Sequence, residues 1–234
     1  MSENKSNILN DLLKLGIKTK ADALLVGGFL AKIFGTPLQE AAGIAHDHLR
    51  FVRWSRAVIL LEKADQINAD RGVTETRHVP PKLALPILEN ASLEEDEDIQ
   101  KLWARLLANA MSPNFTEEIK STYIDILKNL SASEVNFLGS LYVSVCPLAK
   151  KNITKLFYIP FKKEDLIKAL NISEDQYLLT ANTLMREQCI VPAQIRVGSI
   201  EGKPSTAYPS TDIILLSPLG YKLAEACIED SETE

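Results

Sequence analysis

Residues 90–111 read NASLEEDEDIQKLWARLLANAM, an acidic run followed at once by a segment with apolar residues at helical spacing. Apolar residues that recur every three or four positions lie on one side of an α-helix, and such a stripe packs against a protein core. The pattern therefore predicts an amphipathic helix over about residues 92–111. Three of its side chains are predicted to be core residues: Trp103, Leu106 and Leu107.

The five consecutive acids at 94–98 are interpreted as the start of this helix. Ser92 is followed three residues later by Glu95, which is the pattern of a capping box, in which each side chain binds the other residue's backbone N–H. Acids in a first turn also interact favourably with the helix dipole. Neighbouring acids on a helix point around its axis instead of converging, so we predict no metal site here. The exposed acids form a candidate interaction patch of Glu94, Glu95, Glu97 and Asp98.

The N-terminal half reads as one helix after another, and we assign it to a multi-helix region over residues 1–129. Its longest element is a predicted amphipathic helix over about 37–69. A loop over 68–81 follows, because Gly72 stops one helix and the Pro80-Pro81 pair opens the next.

The C-terminal part changes character after residue 130. A capped helix, the strand-like FYIPF at 157–161, two short helices, a period-two hairpin and a closing helix follow in that order. This order predicts a winged-helix-like unit over 130–228, with an acidic tail at 229–234. The predicted fold is thus mainly α-helical, with an N-terminal multi-helix region followed by a winged-helix-like α+β unit that contains a short β-hairpin.

A winged helix raises the alternative of nucleic-acid binding, which the charges disfavour. Residues 131–234 carry 10 Lys and Arg against 13 Asp and Glu, and the helix that would enter a DNA groove begins with Glu174 and Asp175. Phosphate neutralisation supplies much of the affinity for DNA, so this unit is predicted to contact protein instead. The residues that would serve the nucleic-acid or lipid alternative are Arg50, Arg53, Arg56, Arg196 and Lys203.

Bulk composition is that of a soluble globular protein: 234 residues, 46% hydrophobic, 24% charged, net charge −5. The most apolar stretch, 21–35, is shorter than the ~18 residues that span a bilayer. Stable membrane insertion is disfavoured, although a membrane-active effector acting through 21–35 is a further alternative. Cys146, Cys189 and Cys227 have no C-x-x-C spacing, which favours reduced thiols and a cytoplasmic protein.

No catalytic chemistry can be assigned from motif spacing. His46 and His48 lie two positions apart on a predicted helix and so point in nearly opposite directions, while neither G-x-S-x-G nor H-E-x-x-H occurs. We therefore predict a non-enzymatic protein with no catalytic, metal-binding or cofactor-binding residues and no cofactor.

The segment VPPKLALPILENASLEEDEDIQKLWARLLANAM, residues 79–111, resembles the Abi-alpha abortive-infection family of bacterial proteins. The matching features are the Pro80-Pro81 start, the PILENAS approach, the acidic run and the WARLLANA core, and the later LSASEVNFL (130–138) is also similar. The resemblance extends over about residues 35–215. It implies a role in phage defence, in which the infected cell arrests or dies before the virus multiplies, and it carries over no catalytic residues.

These observations together predict a non-enzymatic antiphage factor that acts through protein–protein contacts. The predicted partner is an unidentified host or phage protein, nucleic acid is disfavoured as a partner, and homo-oligomerisation is left open.

Overall fold

A computed structural model describes residues 20–35, 37, 54–149, 157–196 and 207–228. The chain divides into two compact units, Met1–Lys128 and Asn129–Glu234. The first part of the predicted helix over 37–69 and the acidic tail at 229–234 lie outside the described residues.

The described part of the first unit consists of five helices. The described part of the second unit adds four helices and a three-stranded antiparallel sheet, which confirms a mainly helical fold with a small C-terminal sheet. The helices of the first unit are α1 (Lys20–Phe34), α2 (Trp54–Asp70), α3 (Pro81–Leu93), α4 (Glu97–Met111) and α5 (Ser121–Leu127).

The core of the first unit forms where α2 and α3 pack against α4. Trp103, Leu106 and Leu107 are almost fully buried, as the apolar stripe of α4 predicts from its helical spacing. α2 contributes Leu61 and Ala64 from one side of the interface, and both are inaccessible to solvent. Burial of large apolar side chains is the main stabilising contribution to such a helical unit.

The start of α4 differs from the predicted capping box. α4 begins at Glu97, and the side chain of Asp96 caps it by accepting hydrogen bonds from the backbone N–H groups of Asp98 and Ile99. Ser92 lies instead in the last turn of α3, where its hydroxyl donates to the carbonyl of Glu89 at 2.8 Å. The helix predicted over 92–111 is therefore two helices, because the backbone turns to an extended conformation at Glu94.

The second unit runs α6 (Ala132–Ala149), β1 (Pro160–Lys162), α7 (Lys163–Leu170), α8 (Glu174–Arg186), β2 (Ile190–Arg196), β3 (Ala207–Leu216) and α9 (Pro218–Cys227). The sheet order is β1-β3-β2, with β3 in the centre. This order is compatible with the predicted winged-helix-like arrangement.

Two capped helix starts and an aromatic cluster organise the second unit. The Glu134 carboxylate accepts hydrogen bonds from the backbone N–H and the hydroxyl of Ser131, and Ser173 and Gln176 form a complete capping box before α8. Between these helices, the rings of Phe137 on α6 and Tyr177 on α8 lie 5.6 Å apart. The packing buries one side of α8 and fixes which of its side chains face outward.

Candidate functional site

Residues 93–98 run from the last residue of α3 to the second residue of α4, and we call this segment the acidic turn. Its backbone is held by its own carboxylates. Glu94 accepts hydrogen bonds from the N–H groups of Glu95 at 2.8 Å and Asp96 at 2.9 Å, while Asp96 accepts from those of Asp98 at 2.9 Å and Ile99 at 3.1 Å. Because each bond satisfies an N–H that the helix itself cannot, two of the acids are committed to holding the turn.

Arg56 on α2 joins this turn to the rest of the first unit. Its guanidinium donates to the carbonyls of Leu93 at 3.3 Å and Glu94 at 3.1 Å, and it pairs with the Glu95 carboxylate at 2.9 Å. Gln100 on α4 donates to the same Glu94 carbonyl at 3.0 Å. The Arg56 side chain is only 28% exposed, so these charge-assisted hydrogen bonds are partly shielded from water. The acidic turn is thereby held from three elements: α2, α3 and α4.

The outer surface of the acidic turn combines one apolar side chain with three acids. Leu93 is 51% exposed, the Glu95 side chain is 73% exposed, and Glu97 and Asp98 are also exposed. A rigid backbone presents these groups in fixed positions. The arrangement offers a small apolar contact bordered by negative charge, which suits a protein surface that carries Lys or Arg around an apolar depression.

Asp98 has a basic neighbour within its own helix. The Lys101 ammonium lies 2.7 Å from the Asp98 carboxylate and holds the pKa of that carboxyl below its usual value, while the pKa of Lys101 is raised in return. Both side chains are exposed, and an exposed pair at this spacing contributes little to stability. Asp98 stays ionised at neutral pH and adds to the negative surface.

The C-terminal end of α4 is held by side chains that sequence patterns did not single out. Arg77 donates to the carbonyls of Ala110 at 2.8 Å and Asn109 at 3.3 Å, and Arg71 donates to the Asn109 side-chain oxygen at 2.6 Å. Asn68 donates to the carbonyl of Ala108 at 3.2 Å. The carbonyls at a helix C-terminus carry partial negative charge, so arginines stabilise them. In the sequence, Arg71 and Arg77 are two basic residues that lie 30–40 positions before the end of α4. Their spacing does not indicate that they bind this helix end.

Among the residues that the structure describes, cavities open on two sides of α2. One, of about 510 Å³, lies between α1 and α2, where Lys32 and Asp65 pair at 2.6 Å. The other, of about 260 Å³, lies between α2 and α4 and combines three basic side chains with apolar ones. Its lining residues are Lys63, Gln66, Ile67, Lys101, Ala104 and Arg105.

Thiols and potential metal ligands are dispersed in the part of the chain that the structure describes. No group of three or more His, Cys, Asp or Glu residues there could hold a metal ion. Burial raises the pKa of the Cys189 thiol to about 12 and raises that of Cys227 as well, so both thiols are weak nucleophiles. No described helix is long and apolar enough to cross a bilayer.

Of the five basic residues considered for nucleic acid or lipid, the structure describes the side chain of Arg56 alone. Its guanidinium is bound to the acidic turn. Arg50, Arg53 and Lys203 lie outside the described residues, as does the side chain of Arg196 at the end of β2.

Comparison with protein families gives a match to a model described as Abortive infection alpha, over residues 55–227. The matched range covers most of the chain; it includes the acidic turn, α2 except its first residue, and every described element from α3 to α9. The comparison with curated proteins gave no match, and neither did the comparison with solved structures.

Proposed function

Because the chain belongs to the Abortive infection alpha family, as the resemblance of residues 79–111 predicted, we propose that it is a non-enzymatic antiphage factor that acts in the cytoplasm through protein contacts. The family assignment itself indicates an abortive-infection role. The proposal adds the mode of action: binding of a host or phage protein, without a chemical step.

The observation that carries the proposal is the construction of the acidic turn. Arg56, Gln100 and two of the acids hold its backbone, and the exposed Leu93, Glu95, Glu97 and Asp98 remain on the outside. A surface that is rigid before binding loses less conformational entropy when a partner docks. Its negative charge repels nucleic-acid phosphate and attracts basic protein surfaces.

A plaque assay tests this function in cells. Cells that express the wild-type chain are expected to show fewer plaques than cells without it across part of a phage panel. The variant Glu97→Gln with Asp98→Asn removes two exposed charges from the first turn of α4 and should lose most of that protection. A matched control, Glu164→Gln with Asp165→Asn, removes the same exposed charges from the first turn of α7.

The control should protect as well as the wild-type chain, since α7 is not part of the acidic turn. Unchanged plaque counts with the wild-type chain on every phage would overturn the defence role. Equal protection by the wild-type chain and the Glu97/Asp98 variant would remove the acidic turn as the contact surface.

A second variant separates the shape of the turn from its charge. Arg56→Gln keeps every exposed acid but removes the charge-assisted hydrogen bonds to Leu93, Glu94 and Glu95. Protection should fall, although the outer surface is more negative than before. Improved protection by this variant would show that charge alone is sufficient.

A further inference from the structure

The outward side of α8 carries a narrow stripe of four exposed residues: Asp175, Leu179, Asn182 and Arg186. Their spacings of four, three and four positions place them within an arc of about 60° on an α-helix. The opposite side of the helix is buried against the second unit through Tyr177, Thr180, Ala181 and Leu184. The stripe thus runs along the solvent side of α8 from its first turn to its last.

Leu179 is 70% exposed in the middle of this stripe. A single exposed leucine is common on protein surfaces and identifies no site by itself. The four residues of the stripe, however, are arranged symmetrically along the helix. The centre of the stripe lies midway between Thr180 and Ala181. In sequence positions, Asp175 and Arg186 are equally far from this centre, and the inner pair, Leu179 and Asn182, is equally far from it as well.

We propose that α8 is a self-association surface, on which a second copy of this chain packs its own α8 in the antiparallel direction. A two-fold axis at the stripe midpoint places Asp175 of one copy at the level of Arg186 of the other, about 8 Å along the helix from the centre. The opposite pair forms the same contact at the other end. Leu179 of each copy then lies beside Leu179 and Asn182 of the other, shielded from water.

The charges of the stripe favour this occupant over a nucleic acid. Acidic Glu174 and Asp175 occupy the first turn of α8, which is the end that would meet base edges, and they repel phosphate. In the antiparallel pair, Asp175 of one copy meets the Arg186 guanidinium of the other, and the two helix dipoles are antiparallel. Arg186 also pairs with its neighbour Glu187 at 3.1 Å, but its side chain is 67% exposed and its five donors allow both contacts.

One helix from each copy buries less than the ~1,000 Å² expected of a stable interface. The self-association should therefore be reversible and should depend on protein concentration. The stripe belongs to the second unit, whereas the acidic turn belongs to the first.

Sedimentation velocity with two charge reversals tests the proposal on the full chain. Asp175→Arg gives a stripe with two cations and Arg186→Asp gives one with two anions, so each variant repels itself at both ends of the pair. Each should dimerise about tenfold more weakly than the wild-type chain, since two exposed attractions become repulsions. An equimolar mixture of the two variants should associate again, because every contact in the mixed pair joins opposite charges.

Restored association in the mixture supports the proposal and shows that both variants are folded. Glu164→Arg is the matched control, since it reverses an exposed acid in the first turn of α7, and it should associate like the wild-type chain. Leu179→Asp places a charge at the centre of the pair and should also leave a monomer.

Three results would overturn the proposal: a wild-type chain that stays monomeric at several hundred micromolar, charge reversals that associate like the wild-type chain, or a mixture that stays monomeric. Binding of labelled duplex DNA that is lost in Leu179→Asp would assign the stripe to nucleic acid and would equally overturn it.

Discussion

α4 and α8 are both capped amphipathic helices, but they meet solvent in different ways. α4 buries ten of its fifteen residues and leaves little more than its first turn for contact with another molecule. α8 buries four of its thirteen residues and leaves a stripe exposed along its whole length. α4 thus exposes mainly its N-terminal end, whereas α8 exposes one side along its length.

Substitution of the central large residue should destabilise the chain strongly on α4 and very little on α8. Trp103→Ala empties a fully buried site on α4 and should cost about 3–5 kcal/mol in the free energy of unfolding. Leu179→Ala removes side-chain atoms that are mostly in water already, so it should change that free energy by less than about 0.5 kcal/mol. Urea denaturation followed by circular dichroism measures both at low protein concentration, where α8 does not self-associate.

A large loss of stability in Leu179→Ala at low concentration would contradict this contrast, because it would mean that Leu179 packs inside one chain. Leu106→Ala is a second test on α4, and it should fall in the range of about 2–5 kcal/mol for buried leucines.

The starts of these two helices also show when a capping pattern in the sequence predicts a helix start. Ser92 with Glu95 and Ser173 with Gln176 have the same spacing, yet only the second pair forms a capping box. Ser92 is preceded by an uninterrupted helical segment, so its backbone continues α3 and its hydroxyl binds a carbonyl of the previous turn. Ser173 follows Asn171, whose left-handed backbone has already ended α7. A cap pattern identifies a helix start only where the preceding helix has stopped.

Removal of the serine hydroxyls should separate these two positions. Ser173→Ala should cost about 1 kcal/mol in the free energy of unfolding, because the N–H of Gln176 loses its acceptor. Ser92→Ala should change that free energy by less than about 0.5 kcal/mol, since it replaces a serine inside a helix by a better helix former. Asp96→Ala should resemble Ser173→Ala, because Asp96 is the residue that caps α4. A Ser92→Ala loss equal to that of Ser173→Ala would contradict the assigned helix boundary.

The apolar period in residues 99–110 was sufficient to predict the helix and the burial of Trp103, and the order of elements after residue 130 predicted the small sheet. The contacts of Arg56, Arg71 and Arg77 could not be predicted in the same way. Arg56 and Arg77 donate to backbone carbonyls more than 30 positions away, and Arg71 donates to the Asn109 side chain at a similar separation. Neither a backbone carbonyl nor a distant amide can be recognised as a partner from the spacing of residues in the sequence. The exposed acids of the candidate patch were visible in the sequence, but the guanidinium that holds their turn was not.

The smallest expected effect concerns the charge at the tip of α4. The pKa of Asp98 is lowered in the folded chain by Lys101, so its ionised form favours the folded state. That contribution is present above the unfolded pKa, near 3.8, and is lost as pH falls through the lower folded value. Asp98→Asn should therefore lower the unfolding temperature slightly at pH 6, and the difference from the wild-type chain should shrink below pH 4.

Glu97→Gln, in the same turn, is the control for loss of a charge near the helix dipole. Since Asp98 and Lys101 are exposed, 0.5 M salt should reduce the pH 6 difference; a difference that survives both acid and salt would mean that Asp98 stabilises the turn through packing and not through its charge.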